Sequence, residues 1–148
     1  MTEPKDHFVD GYLLYLMAAA SDRASAEFHT QVRKAGVRVP EWRVLACLVD
    51  HPPMMVTELA ELALLEQSRM SKIIDQMNKR GLVIRVPSES DRRRVRVALT
   101  EQGRALAQDL VEQAKSHEAA LLTSLADTDA ARVKPVLQAL LRALGSST

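Results

Sequence analysis

The chain has 148 residues, 47% hydrophobic and 26% charged, with 20 Lys+Arg against 19 Asp+Glu and one cysteine. That balance fits a single soluble globular domain and excludes disordered, collagen-like and disulfide-scaffold classes. No apolar run approaches the roughly 20 residues that span a bilayer, so no membrane partner is expected.

Residues 12–20 (YLLYLMAAA) imitate the core of a signal peptide, but Glu3, Asp6 and Asp10 precede them against only Lys5. A secretory leader is positive. The run is therefore read as a buried helix, and the protein as cytoplasmic. Phe8, Tyr12, Tyr15, Leu16, Ala19, Ala26 and Val32 recur near helical spacing and predict one helix over 8–35, with Gly36 at its C-terminus. Pro40 opens a second helix carrying Trp42, Val44, Leu45, Leu48 and Val49, and Pro52-Pro53 ends it. Residues 54–56 fit a short strand. Thr57 is placed to cap a helix over 58–64.

A turn at Leu65-Glu66 leads into a helix over about 67–80, with Met70, Ile73, Ile74 and Met77 facing inward and Gly81 as its stop. The period then changes. Residues 82–86 and 94–99 alternate apolar and charged side chains, which is strand spacing, and 87–93 form a polar hairpin tip. Thr100 and Gly103 open a long helix to about 125. Asp127 or Asp129 caps a last helix ending at Gly145, with Val133, Val136, Leu137, Leu140, Leu141 and Leu144 on one stripe. Pro135 falls inside it and should kink or restart it.

This order predicts a mainly α fold, an α+β winged helix. One domain over 1–148 contains a winged helix-turn-helix DNA-binding lobe at 40–100, with its recognition helix at about 67–80 and its wing at about 82–100. The N- and C-terminal helices, 8–36 and 101–145, form a helical dimerisation domain. They carry more apolar surface than one chain covers: Leu106, Leu110, Leu121, Leu122, Leu125 and the last stripe.

Residues 66–96 hold nine basic and four acidic side chains, so they carry +5 within a chain of net charge +1. Such a block marks a polyanion partner. The five aromatics, Phe8, Tyr12, Tyr15, Phe28 and Trp42, all lie outside it. Single-strand readers stack bases on aromatics, so double-stranded DNA is the expected partner. The outward face of the 67–80 helix presents Gln67, Ser68, Arg69, Ser71, Lys72, Asp75, Gln76 and Lys79. Arg and Gln pair bidentately with guanine and adenine edges, and Ser68, Arg69 and Lys72 are placed nearest the bases. At the hairpin tip, Arg92, Arg93 and Arg94 can enter the minor groove, with Asp91 holding a neighbouring arginine in a fixed pose.

The run RGLVIRVPSESDRRRVRVALTEQG at 80–103, with Glu58-Leu59-Ala60 and Pro40-Glu41-Trp42-Arg43-Val44-Leu45, resembles the MarR family of bacterial transcriptional regulators. The resemblance extends over about 8–144. It implies an obligate homodimer with interlocked first and last helices, bound to a pseudo-palindromic operator. It also implies repression of a neighbouring gene, with Arg93 in the minor groove, Asp91 as its anchor and Arg92 as a phosphate or supporting contact.

Release by a small aromatic anionic effector, such as a hydroxybenzoate, hydroxynicotinate, hydroxycinnamate or a thioester, follows from the same likeness. The family pocket would lie near the junction of the first two helices, where Tyr12, Leu16, Arg23, Trp42, Arg43 and His51 are the candidates. Those side chains also fit a plain core and surface ion pairs. Cys47 and His51, four apart, leave open a metal- or redox-responsive regulator, and an effector-free DNA-binding protein is a further alternative. No cofactor or metal set is expected, and no GxSxG, Walker loop or GxGxxG points to an enzyme.

Overall fold

The computed structural model describes residues 6–87, 90–91 and 94–145. It is mainly helical, with one three-stranded antiparallel sheet, and it is a winged helix. Two compact units divide it, Met1–Gln113 and Ala114–Thr148.

In the first unit, the predicted helix over 8–35 is broken. A 3-10 turn at Phe8–Gly11 precedes α1, Leu13–Lys34, and Tyr12 between them is extended. Asp10 accepts a hydrogen bond from the His7 backbone N–H at 3.2 Å, which closes the short turn locally. Glycine at 11 weakens helix continuation there. α1 ends at Gly36 in the left-handed region (φ 81°), where Val37 N–H donates back to Val32 O at 3.3 Å.

Helix α2, Val39–Leu48, starts with Arg38 as N-cap and Pro40 in its first turn. It stops four residues before Pro52, so the proline pair follows the end rather than making it. β1, Met54–Met55, runs directly into α3, Val56–Leu62. Thr57 is therefore inside the first turn and not the cap. Met55 holds that position without a side-chain bond, because the strand pairing already fixes the entry.

Leu64, at φ 61°, makes the tight turn into α4, Gln67–Lys79. Met70, Ile73, Ile74 and Met77 are buried as their spacing predicts. Gly81 (φ 75°) ends α4, and Leu82 N–H returns to Met77 O at 3.0 Å. β2, Val83–Pro87, and β3, Val95–Leu99, form the hairpin, paired from Val83 with Leu99 to Pro87 with Val95. The sheet order is β1-β3-β2. Val44, Leu45, Leu48, Leu59, Val83, Val97 and Leu110 complete the core beneath α4.

Helix α5, Glu101–Leu125, is fastened to the hairpin by Thr100. The Thr100 hydroxyl donates to Gly81 O at 2.6 Å and accepts from Gly103 N–H at 3.0 Å. At Gly103 a Cβ would stand 1.9 Å from Leu82 O, so no side chain fits.

In the second unit, neither Asp127 nor Asp129 caps the last helix: its N-cap is Arg132, without a side-chain bond, and the 3-10 turn before it is capped by Thr128. Its hydroxyl accepts from Ala130 N–H at 3.1 Å. A hydroxyl two residues upstream reaches that N–H without desolvating a charge. A 3-10 turn at Asp129–Arg132 follows, then α6, Val133–Leu144. Pro135 stands in the first turn of α6, where a missing N–H breaks no helical bond, so it marks a restart and not a kink. Lys134 and Glu118 pair at 2.7 Å.

Gly103→Ala should lower stability by about 1–3 kcal/mol, the usual scale of forced overpacking. Thermal or urea unfolding checks this, and an unchanged midpoint would show that the hairpin–α5 junction gives way freely.

Candidate nucleic-acid interface

The buried stripe of α4 dictates what its other face shows. With Met70, Ile74 and Met77 at 0% exposure, Gln67, Ser68, Arg69, Lys72, Asp75 and Gln76 are left on the surface. Ser71 is half-buried, and its hydroxyl donates to Gln67 O at 3.2 Å. The single acid on this face, Asp75, is paired with Arg85 of β2, so its charge is compensated and α4 is tied to the hairpin.

At the hairpin tip, Asp91 lies 3.9 Å from Arg94 and its carbonyl accepts Arg94 N–H at 3.0 Å. Arg94 is exposed. Arg92 and Arg93 lie outside the described residues, so the expected Asp91–Arg93 anchor is not placed.

Sequence reasoning passed over a buried charge. Glu41, 1% exposed, accepts from Arg80 at 2.9 and 3.1 Å and from Arg38 N–H at 2.9 Å. Arg80 also donates to Gly36 O at 2.7 Å. Arg38 donates to the Gln76 side-chain oxygen. The legible signal was a glutamate at the third position of a proline-opened helix, the capping-box spacing.

The effector candidates separate into groups. Tyr12 stacks on Phe8 with ring centres 4.8 Å apart, beside an open cavity lined by residues 6–8 and 10–12. Trp42 meets Phe28 edge-on at 5.1 Å. Leu16, Arg23 and Arg43 are exposed. Burial, then the charges of Arg33 and Arg43, hold the His29 imidazole below its ordinary pKa. His51 Nδ1 lies 2.6 Å from Cys47 O, a backbone contact and not a thiol one. Burial pushes the Cys47 thiol above its usual pKa, the reverse of what a reactive thiolate needs. Among the described residues no group of three or more His, Cys, Asp or Glu could hold a metal.

The MarR family model matches residues 37–95. A crystal structure of the MarR family transcriptional regulator SPO1453 from Silicibacter pomeroyi DSS-3 is 62% identical, with TM-score 0.87, covering 94% of this chain and 99% of that one. The chain belongs to the MarR family of transcriptional regulators.

Two curated relatives of this MarR protein are more distant. The organic hydroperoxide resistance transcriptional regulator of Bacillus subtilis (strain 168) is 27% identical over 72% of this chain and 74% of its own. The homoprotocatechuate degradative operon repressor of Escherichia coli is 29% identical over 69% and 71%.

Cys47 should react with a disulfide reagent more slowly at pH 8 than a small free thiol, with a rate still climbing above pH 9. Thiol-release kinetics against pH check this, and fast reaction at pH 7 would contradict the raised pKa.

Proposed function

We propose that this MarR protein is a homodimeric, cytoplasmic repressor that binds a pseudo-palindromic operator and is released by a small aromatic acid. The observation that carries the DNA part is the outward face of α4. Gln67, Ser68, Arg69, Ser71, Lys72 and Gln76 stand above a fully buried stripe, with the one acid among them neutralised by the hairpin. That face suits a major groove, and the arginines at 92–94 suit the adjacent minor groove.

The dimer reading rests on uncovered apolar faces. Phe8, Leu13, Leu14 and Leu16 are 45–77% exposed near the N-terminus. Val136, Leu137, Leu141 and Leu144 are 40–68% exposed on α6. Patches of this kind mark interfaces. A second copy of the chain covers both and sets two recognition helices one DNA turn apart, ~34 Å. In this reading residues 8–36 and 101–145 form the dimer layer and 40–100 the DNA-binding lobe.

The effector reading is supported by the relative that represses an aromatic degradative operon. Trp42 and Tyr12 offer flat apolar walls, and Arg23, Arg43 and His51 offer donors for a carboxylate. The molecule works by binding, not turnover: an effector that prefers a dimer with misplaced recognition helices must lower DNA affinity by the same coupling factor.

Fluorescence anisotropy on duplex DNA from upstream of its own gene tests this, with hydroxybenzoates, hydroxynicotinates and hydroxycinnamates added in turn. Selective binding relieved by one compound is expected. Selective binding that none of them relieves would contradict the effector class. Arg93→Ala should cost about 1–3 kcal/mol of operator affinity, the scale of one specific contact, and weaken the preference for A·T-rich flanks. Wild-type affinity in that variant would contradict the wing assignment.

A further inference from the structure

A cavity of about 150 Å³ lies at the start of α2. Arg38, Pro40 and Glu41 line it on the α2 side, and Arg69, Lys72 and Gln76 on the α4 side. Glu41, the one acid on that lining, is occupied. It takes two hydrogen bonds from Arg80 and one from Arg38 N–H, and lies 3.5 Å from Arg38 Nε. Arg69 and Lys72 have no acidic partner among the described residues. Two arginines thus hold the one carboxylate, and Arg38, Arg69 and Lys72 line a single small space.

We propose that this cavity holds one phosphate of the DNA backbone, with Arg38 as its anchoring contact. The inference rests on the DNA-binding reading above and refines it. At about 150 Å³ the space is roomy enough for a phosphate group with water beside it. A guanidinium presents five N–H donors in a planar fork suited to phosphate oxygens. Arg38 spends one on Gln76 and its Nε faces Glu41 at 3.5 Å, which leaves the other donors of its terminal nitrogens for an anion. Arg38 stands before the helix-turn-helix in sequence, so the outward face of α4 does not reveal it. In this refinement Arg69 and Lys72, which the sequence places near the bases, share the phosphate instead, and Gln67 and Ser68 in the first turn of α4 meet the base edges.

The test compares wild type, Arg38→Gln and Arg38→Lys on a duplex selected from a random pool and on its scrambled version, over a salt series. Matching circular dichroism melts establish that the variants fold. Arg38→Gln should weaken both duplexes by the same factor and lessen the slope of log affinity against log salt by about 0.9 per protomer. Arg38→Lys should keep the slope. A methylphosphonate at one backbone position per half-site should penalise wild type more than Arg38→Gln, which keeps only Arg69 and Lys72 on that phosphate.

An unchanged slope in Arg38→Gln overturns the proposal. So does a loss confined to one base pair, which would make Arg38 a base reader or a support for Gln76. Displacement of DNA by inorganic phosphate beyond that by chloride at equal ionic strength, abolished in Arg38→Gln, would make this a free-anion site and also overturn it. Wild type binding neither duplex would sink the DNA-binding reading itself, whereas a silent Arg38 leaves that reading standing.

Discussion

A carboxylate taken out of water must be paired, and Glu41 is the place where this protein meets that constraint. An uncompensated buried charge costs about 3–5 kcal/mol, against about 0–1 kcal/mol for an exposed pair. Arg80 is 44% exposed, so its own desolvation is modest while the carboxylate's is nearly complete. The balance favours keeping the pair closed. Because Arg80 also holds Gly36 O, one cluster fixes the turn after α1, the first turn of α2 and the end of α4. The placement of the recognition-type helix follows from that cluster as much as from its apolar stripe.

The hairpin is positioned by a second set of short contacts. Thr100 spans Gly81 O and Gly103 N–H, and the absence of a side chain at 103 lets α5 press on Leu82. Arg85 reaches from β2 to Asp75 on α4. These contacts hold the strands of the hairpin against α4 and the start of α5. A rigid base of this kind is what positions groups for nucleic-acid contact, since register is set by phosphate contacts and sequence is read by a few side chains.

Much of this was legible in the sequence where periodicity carried the information. The α4 stripe and the strands around the tip follow from spacings of 3.6 and 2, and both stand in the structure. What escaped were features decided by single atoms. The extended backbone at Tyr12 breaks a pattern that periodicity alone runs through. Thr128 caps the turn before α6 while neither neighbouring aspartate caps the helix, and Met55 enters α3 from a strand and displaces Thr57. Charge counting registered Arg38 and Arg80 as sums or not at all, because their roles depend on Glu41 being buried. The effector residues were the least legible, since Tyr12 and Trp42 each pack against a different phenylalanine and their side-chain types fit a core equally well.

The central claim is a two-fold protein that reads duplex DNA through α4. The direct measurement is selection of the wild-type protein against a random duplex pool, followed by sequencing of the bound fraction. The account predicts an enriched inverted repeat with half-site centres about 10–10.5 base pairs apart or a multiple of that spacing, bound as a dimer and weakened steeply by salt. A pool that stays unenriched, or one whose enriched motif lacks two-fold symmetry, would contradict it.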